Sequence, residues 1–551
     1  MSDLGKTKAG ELELDFDYAD AEAYASTVGQ LVADQVASRI AAQDPTLWGP
    51  EAEAESAIRL SWVGLAESSR PLIAEIAALR EELRDEGIDH VVLAGMGGSS
   101  LAPEVICATA GVALVTLDTT DPGQVRTALN DNLDRTVLVV SSKSGGTVET
   151  DSHRRVYEKA FADAGIDPKR RIVVVTDPGS PLQKTAEDAG YRKVFLADPN
   201  VGGRYSALTA FGLVPSGLAG ADIGGLLDEA ATASPALATD DQANPGVRLG
   251  GLLGLAHNSG SDKVVFADFG SGIEGFGDWA EQLIAESTGK KGLGLLPVVV
   301  EGPHSPGFGN AGADSILTHL GAFNPDHPPA SGWAVGVAGP LGGQFLLWEY
   351  ATAIAGRIIG INPFDQPNVE AAKIQARSLL DAPEAASGEK PAFVEGAVEV
   401  YADANTLRGD HSLAAVFGSL QQLAPANGYL ALQAYLDRHA DASAADLRAA
   451  VAARAGLQTT FGWGPRFLHS TGQYHKGGHP NGAFIQITGA ITEDLEIPGR
   501  PYTFGTLQAA QAAGDAAVLA GTGRPVLRLH LTDRGAGLGQ LLELLCRVND
   551  Q

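Results

Sequence analysis

Residues 90–100 read HVVLAGMGGSS, an apolar run that ends in a glycine-rich turn. The run is typical of a buried strand, and LAPEVICATAG at 101–111 can follow it as a helix. Glycines let a backbone approach an anion closely, and a helix N-terminus offers free N–H groups. We therefore expect a phosphate-binding strand–turn–helix unit. The alternatives are an ordinary tight turn and a dinucleotide fingerprint, which needs a third spaced glycine that GMGG lacks.

Four further apolar runs follow, separated by segments with helical patterns. They are ALVTLDT (113–119), RTVLVVSSKSGGT (135–147), RRIVVVTDP (170–178) and KVFLAD (193–198). Near-continuous β-branched strands that alternate with helices indicate a parallel sheet covered on both faces. The fold class predicted for this region is therefore a doubly wound α/β domain.

A second loop with phosphate-binding character lies at 141–150, where the sequence reads SSKSGGTVET. It follows a predicted parallel strand, and ligands of open α/β sheets bind at the carboxyl ends of such strands. The hydroxyls of Ser142, Ser144 and Thr147 can surround a small phosphate beside Lys143. The alternative is a helix cap rich in serine and threonine.

The rest of the chain divides by the same criteria. Apolar residues recur at helical spacing before residue 89, and β-branched runs alternate with helices again after residue 250. The polar, proline-bearing stretch DAPEAASGEKPAFVEG at 381–396 is the best linker candidate. The predicted divisions are an N-terminal helical segment (1–89), a first α/β domain (90–250), a second α/β domain (251–380) and a C-terminal α/β region (381–551).

Composition excludes several classes of protein. The 551 residues favour about three to four domains. With 39 Lys and Arg against 67 Asp and Glu, the net charge is −28, which makes nucleic acid and anionic membranes poor partners. A hydrophobic content of 44% excludes global disorder. Two cysteines, no apolar leader and no run of about 18 apolar residues predict a soluble, cytoplasmic protein.

Five motifs in a fixed order resemble a known family. They are GMGGSSLAP (95–103), SSKSGGTVET (141–150), GGRYS (202–206), EQLIAESTGK (281–290) and INPFDQPNVEAAK (361–373). The first two resemble the phosphate site of sugar-isomerase (SIS) proteins, and the set resembles the glucose-6-phosphate isomerase family. GPRFLHSTGQYHKGG at 464–478 is similar to a longer bacterial form found fused to transaldolase. The resemblance implies two doubly wound parallel-sheet domains of SIS type, a sugar-phosphate substrate, no cofactor, no metal and a homodimer.

Aldose–ketose isomerisation needs one general base and a positive group beside the developing oxyanion. The resemblance assigns the base to Glu286, which shares a helix face with Gln282, and the positive group to Arg204. It places Lys373 at ring opening, with Gln366 two helical turns earlier as a substrate contact. The alternatives are a surface glutamate, a structural ion pair and an exposed helix lysine.

The resemblance also carries the phosphate contacts onto the two loops. The residues expected to bind the 6-phosphate are Gly98, Ser99, Ser100, Ser142, Lys143, Ser144 and Thr147.

One departure from the family concerns its catalytic histidine. The family carries it in a Gly-Thr-Asn-x-Gln-His stretch after the glutamate, and residues 301–321 contain no such stretch. His469, His475 and His479 lie in the glycine-rich C-terminal stretch, and His475 is taken as the candidate ring-opening acid. The alternatives are structural histidines and a metal cluster.

Two rival functions stay open at this point. A non-catalytic SIS-type regulator that binds sugar phosphates would keep both loops but would not need Glu286, Arg204 and Lys373 together. A dinucleotide-dependent oxidoreductase rests on GMGG alone. Because fold does not settle function, the isomerase hypothesis depends on the site residues.

Overall fold

Three β-sheets organise the chain. The computed structural model describes residues 5–326, 328–381 and 389–546, without the side chains of 369–373 and 381. Each sheet has a core of parallel strands, and two of them carry an antiparallel edge. We call the parts built on these sheets the first, second and third units.

The first sheet has five parallel strands. In spatial order they are Val115–Leu117, His90–Ala94, Thr136–Ser141, Ile172–Thr176 and Lys193–Leu196. Alternate residues enter different cores, with Leu93 in the largest hydrophobic cluster and Val92 in a separate one. Both faces of the sheet are therefore covered, which explains the continuous apolar runs and confirms the doubly wound fold class.

The second sheet combines four parallel strands with a hairpin from the N-terminus. In spatial order its strands are Lys6–Ala9, Leu12–Asp17, Ala334–Ala338, Ser315–Gly321, Lys263–Phe269 and Leu296–Val299. The sequence analysis expected only helices before residue 89, so the hairpin is an addition to that segment. Its signal is the period-two alternation over 12–17, where Leu12, Leu14 and Phe16 are buried.

The third sheet belongs to the C-terminal region. Its strands, in spatial order, are Phe393–Glu395, Val398–Tyr401, Val526–Leu531, Gly482–Gly489, Tyr429–Tyr435 and Gln458–Trp463. The last four are parallel to one another. The first of the six starts inside the expected linker at 381–396, of which residues 382–388 lie outside the described part of the chain.

The helices pack around these sheets, and local capping sets many of their starts. Asn244, for example, accepts hydrogen bonds from two N–H groups of the first turn, and Pro245 takes the first helical position. The α-helices are Ala21–Ala33, Val36–Ala41, Glu53–Ser56, Leu65–Ser68, Pro71–Asp85, Leu101–Thr109, Pro122–Asn130, Val148–Asp163, Pro181–Ala189, Ala210–Ala219, Ile223–Leu237, Pro245–Asn258, Phe276–Thr288, Leu341–Ile359, Val369–Asp381, Ala404–Leu407, Leu413–Leu423, Leu447–Ala455, Gly472–Gly477, Phe504–Gly521 and Arg534–Cys546. Within the described ranges, none of them combines the length and apolar character needed to cross a membrane.

Shared cores hold the three units together. The largest cluster includes Leu93 of the first sheet and Phe266 of the second. A smaller cluster joins Val265 of the second sheet to Ala431 of the third. Since each sheet buries a face against a neighbouring unit, the clefts between units have fixed walls.

A buried ion pair inside the third unit gives a stability test. Lys476 Nζ lies 2.5 Å from Asp515 Oδ1, and the two side chains are 3% and 0% exposed. Replacing Lys476 with methionine leaves a buried carboxylate without a counter-ion, so we expect a loss of about 3–5 kcal/mol of unfolding free energy. Urea unfolding followed by tryptophan fluorescence measures it.

The matched controls are a surface pair and a double variant. Lys159 pairs with Asp163 in exposed positions, so Lys159→Met is expected to change the urea midpoint little. Lys476→Met combined with Asp515→Leu removes both charges and is expected to recover most of the loss. A Lys476→Met midpoint equal to that of Lys159→Met contradicts the prediction.

Candidate active site

A cleft of about 530 Å³ opens at the carboxyl ends of three adjacent strands of the first sheet. Its floor consists of the turns after His90–Ala94, Thr136–Ser141 and Ile172–Thr176. Both the second and the third units add residues to its walls. The polar and glycine residues that line it include Arg59, Gly97, Gly98, Ser99, Ser142, Lys143, Ser144, Thr147, Asp177, Gly203, Arg204, Gln282, Glu286, Gln366 and His469.

The glycine loop after the first strand touches the turn that carries Arg204. A Cβ atom on Gly98 would lie 1.9 Å from the carbonyl oxygen of Gly203. The Ser206 hydroxyl donates to the carbonyl of Gly98 at 3.2 Å. Glycine at position 98 is therefore required for the close approach of the two backbones, which places Arg204 at the edge of the cleft.

The second loop is closed by its own hydroxyl groups. The N–H of Gly145 donates to Ser142 Oγ at 3.1 Å, and that oxygen lies 3.1 Å from the hydroxyl of Thr147. The N–H of Gly146 donates to Ser144 Oγ at 3.2 Å. The helix Val148–Asp163 begins directly after this loop, so its positive N-terminal end faces the same region.

Lys143 is held by protein groups at the rim of this loop. Its Nζ lies 2.6 Å from Asp177 Oδ2 and donates to the carbonyls of Pro199 and Val201. Burial raises the pKa of Asp177, and the ammonium of Lys143 opposes that shift. Lys143 therefore brings positive charge to the loop while its N–H donors are engaged with the protein.

Arg204 is buried and fixed by hydrogen bonds to the second unit. Its Nε donates to Ser287 Oγ at 2.8 Å, and one terminal nitrogen donates to the carbonyl of Pro363 at 2.7 Å. The other terminal nitrogen donates to Gln366 Oε1 at 2.9 Å and lies 3.6 Å from Glu286 Oε1. The guanidinium is thus a preorganised charge beside a carboxylate.

Glu286 lies on the helix Phe276–Thr288, and its side chain is 14% exposed. Gln282, one turn earlier, donates its side-chain amide to Glu286 Oε2 at 3.0 Å and to the carbonyl oxygen of His469 at 2.8 Å. The amide fixes the orientation of the carboxylate, which leaves Oε1 toward Arg204. This arrangement is what a proton-transferring base requires.

Lys290 supports the loop that carries Gln366, a role that the sequence analysis did not assign. Its Nζ donates to the carbonyl of Asn362 and to Asp365 Oδ1, each at 2.7 Å. Burial and the neighbouring Arg204 lower the pKa of Lys290 to about 7, and Asp365 opposes them. The residue lies inside the quoted motif EQLIAESTGK, which is the signal that could have identified it.

Two histidines of the C-terminal stretch have different surroundings. His469 lines the cleft, with Nε2 3.1 Å from Glu149 Oε1, which also accepts from the amide of Gln511. His475 is buried away from the cleft, and its Nδ1 lies 3.0 Å from the Tyr429 hydroxyl. Burial lowers the pKa of His475 to about 3, which favours the neutral imidazole. The structure thus places His475, the candidate ring-opening acid, outside the cleft and His469 inside it.

Other expected site residues divide between the cleft and its surroundings. Ser100 is fully buried, and its hydroxyl donates to Asp118 Oδ2 and to the carbonyl of Gly97, each at 3.2 Å, so it faces away from the cleft. The side chain of Lys373 lies outside the described part of the structure. The residues that the cleft brings together are Gly98, Ser99, Ser142, Lys143, Ser144, Thr147, Arg204, Gln282, Glu286 and Gln366.

Among residues 5–326, 328–381 and 389–546, no three His, Cys, Asp or Glu side chains are grouped so that they could hold a metal ion.

Two parallel sheets that meet at a cleft with hydroxyl- and glycine-rich loops define a protein of the sugar-isomerase (SIS) fold class. A hypothetical protein from Thermus thermophilus is 26% identical, with a TM-score of 0.57 over 67% of this chain and 99% of that one. A glucose-6-phosphate isomerase from Chlamydia trachomatis, 18% identical, shares the fold with a TM-score of 0.56 over 69% of this chain and 90% of that one.

The sequence of the chain is similar to a family model and to curated proteins. Residues 81–291 match the family model described as phosphoglucose isomerase. A probable glucose-6-phosphate isomerase from Natronomonas pharaonis is 34% identical over 245 residues, which are 44% of this chain and 57% of that protein. The chain thus matches little more than half the length of this curated relative.

The contact at Gly98 predicts the effect of one methyl group. Gly98→Ala forces the two loops apart at a strain of about 1–3 kcal/mol, which corresponds to about 5- to 150-fold weaker binding of a sugar phosphate. Isothermal titration with glucose 6-phosphate measures the change. Gly203→Ala is the matched control, because nothing lies within 4 Å of a Cβ atom there. Equal affinities for the two variants would show that the contact is not needed.

Proposed function

We propose that the protein is an aldose–ketose isomerase that interconverts glucose 6-phosphate and fructose 6-phosphate through an enediol intermediate, a step of glycolysis and gluconeogenesis. The observation that carries the proposal is the pair of Glu286 and Arg204, 3.6 Å apart beside two phosphate-binding loops. A sugar-phosphate sensor would need the loops but not a carboxylate oriented by Gln282 against a fixed guanidinium.

We assign binding of the 6-phosphate to the loops at 95–100 and 141–150. The hydroxyls of Ser142, Ser144 and Thr147 and the backbone N–H groups around them supply neutral donors. Lys143, although bonded to Asp177, adds positive charge close by. In a chain of net charge −28, this concentration of donors and cations focuses attraction for an anion on the cleft.

Opening of the sugar ring needs two proton transfers, one onto the ring oxygen and one from the anomeric hydroxyl. We assign one of them to His469, which lines the cleft and which the carboxylate of Glu149 orients at 3.1 Å. Lys373 is the proposed partner at the ring oxygen, on the basis of the family resemblance.

Isomerisation then follows on the open chain. Glu286 removes the proton from C2, and the carbonyl oxygen on C1 takes the negative charge of the enediolate. The proton of the C2 hydroxyl passes to the oxygen on C1, and the carboxylic acid of Glu286 returns its proton to C1 as C2 becomes the carbonyl of the ketose. Arg204 stabilises the oxyanion, because its charge is fixed by Ser287 and Pro363 before the reaction begins. Gln366 bonds this guanidinium and lines the cleft as a substrate contact.

The expected location and assembly also belong to the proposal. A cytoplasmic location and a homodimer rest on the sequence and its family resemblance. Size-exclusion chromatography with light scattering at several protein concentrations measures the subunit number.

Replacing the base gives the direct test of the reaction. Glu286→Gln keeps the hydrogen-bonding shape but removes proton transfer, so kcat is expected to fall by about 10²–10⁴-fold while glucose 6-phosphate binding changes little. A coupled assay from fructose 6-phosphate to glucose 6-phosphate, run with EDTA, measures turnover. Glu274→Gln, an exposed glutamate ahead of the same helix, is the control. A wild-type protein that binds sugar phosphates tightly without turnover would support the regulator instead.

The histidine assignment has a test of its own. His469→Gln is expected to lower kcat by about 10²-fold, because the ring form must open before proton transfer. His475→Gln is expected to leave kcat within about threefold, because that side chain lies outside the cleft. Both variants are assayed below their unfolding temperatures. Full activity in His469→Gln would remove this histidine from the mechanism.

A further inference from the structure

The short turn Arg466–His469 lies along the helix that carries the proposed base. Arg466 pairs with Asp278 at 3.1 Å, and the carbonyl oxygen of His469 accepts from Gln282 at 2.8 Å. Asp278, Gln282 and Glu286 are four residues apart, so they share one face of the helix. The turn that carries His469 is therefore fixed to the helix of Glu286 at both ends.

The same guanidinium is linked to the glycine loop of the first unit through Asp118. Arg466 donates to Asp118 Oδ2 at 2.8 Å and to a carboxylate oxygen of Glu104. Asp118 is buried and accepts the hydroxyl of Ser100, the residue that follows the loop. Arg466 thus connects the three elements on which the proposed mechanism depends: the His469 turn, the Glu286 helix and the glycine loop.

Glu104 is ionised in this network. Burial disfavours the ionised form of Glu104, but the guanidinium groups of Arg466 and Arg438 hold its pKa down at about 2. Networks of this kind add little net stability relative to apolar residues of similar size. Their directional contacts are better suited to fixing positions.

The third unit docks onto the first unit through the edge of its sheet where the carboxyl ends of the parallel strands lie. Ligands of open α/β sheets bind at the carboxyl ends of the strands, and three arginines follow the ends of parallel strands in this sheet. Each pairs with a carboxylate of the first unit: Arg438 with Glu104, Arg466 with Glu104 and Asp118, and Arg534 with Asp121. Three ion-paired arginines therefore join this edge to the first unit.

We propose that Arg466 is a positioning residue that sets the placement of the His469 imidazole relative to Glu286 across the cleft. The inference rests on the proposed isomerase function. It assigns to the third unit the task of completing the site, with Arg466 as the group through which docking and catalysis are connected.

The test compares two arginines of the same docking edge. Arg466→Met removes the contacts to the Glu286 helix and the glycine loop. Arg534→Met removes pairs with Asp121 and Asp441 at the other end of the edge and leaves the ion pairs of Arg466 in place. We expect kcat to fall about 10- to 100-fold in Arg466→Met and to stay within about threefold in Arg534→Met, with similar KM in both.

Two milder variants keep the test decisive if Arg466→Met does not fold. Arg466→Lys keeps one positive charge but cannot bind three carboxylates at once. Asp278→Asn removes only the link to the helix, and its side chain is half-exposed, so the fold is expected to survive. Each is expected to lose kcat by a smaller factor than Arg466→Met, and unchanged kcat in both would overturn the proposal.

A second readout does not depend on turnover. The NMR signals of the His469 imidazole are recorded at one pH on protein labelled at histidine, with the signals assigned through His469→Gln. We expect their chemical shifts to change in Arg466→Met and to stay in place in Arg534→Met. Equal kcat losses in the two variants, or unchanged His469 signals in Arg466→Met, overturn the positioning role. Absence of turnover in the wild type would instead reject the isomerase function, and the NMR comparison would still decide the positioning role.

Discussion

The cleft depends on one backbone contact between Gly98 and the carbonyl of Gly203. No side chain fits between these atoms, so the glycine loop and the following turn approach closely enough to place Arg204 at the cleft edge. From there the guanidinium binds Ser287 and Gln366 across the boundary between two units. This backbone contact thereby fixes the two loops relative to Arg204, the proposed partner of the oxyanion, and relative to Glu286, the proposed base.

Positive charge in this acidic protein is held in place by bonds to the protein. Lys143 is bound by Asp177, Lys290 by Asp365, and Arg204 by carbonyl and side-chain oxygens. Each of these side chains therefore loses little conformational freedom when an anion enters the cleft. A small entropy loss of this kind favours binding of the anion and stabilisation of a transition state. The proposed donors to a phosphate are hydroxyls and N–H groups, which add no charge to the cleft.

The third unit lies outside the segment that matches the phosphoglucose isomerase family, residues 81–291. It nevertheless supplies His469 to the cleft and binds the first unit through Arg438, Arg466 and Arg534. These ion pairs lie at the carboxyl ends of its own parallel strands. The physical consequence is a site with walls from three units, in which the position of one histidine depends on the docking of a whole domain.

Sequence alone determined the features that depend on local pattern. Buried parallel strands require continuous apolar runs, tight loops require glycine, and a four-residue spacing places Gln282 and Glu286 on one helix face. Tertiary structure decided which side chains face the cleft. His469 and His475 lie six residues apart in one glycine-rich stretch. His475 is buried against Tyr429 and lies outside the cleft, whereas His469 lines it. Ser100 likewise turns toward Asp118, and the strand Leu12–Asp17 finds its partner over three hundred residues away, because long-range contacts set burial and pairing.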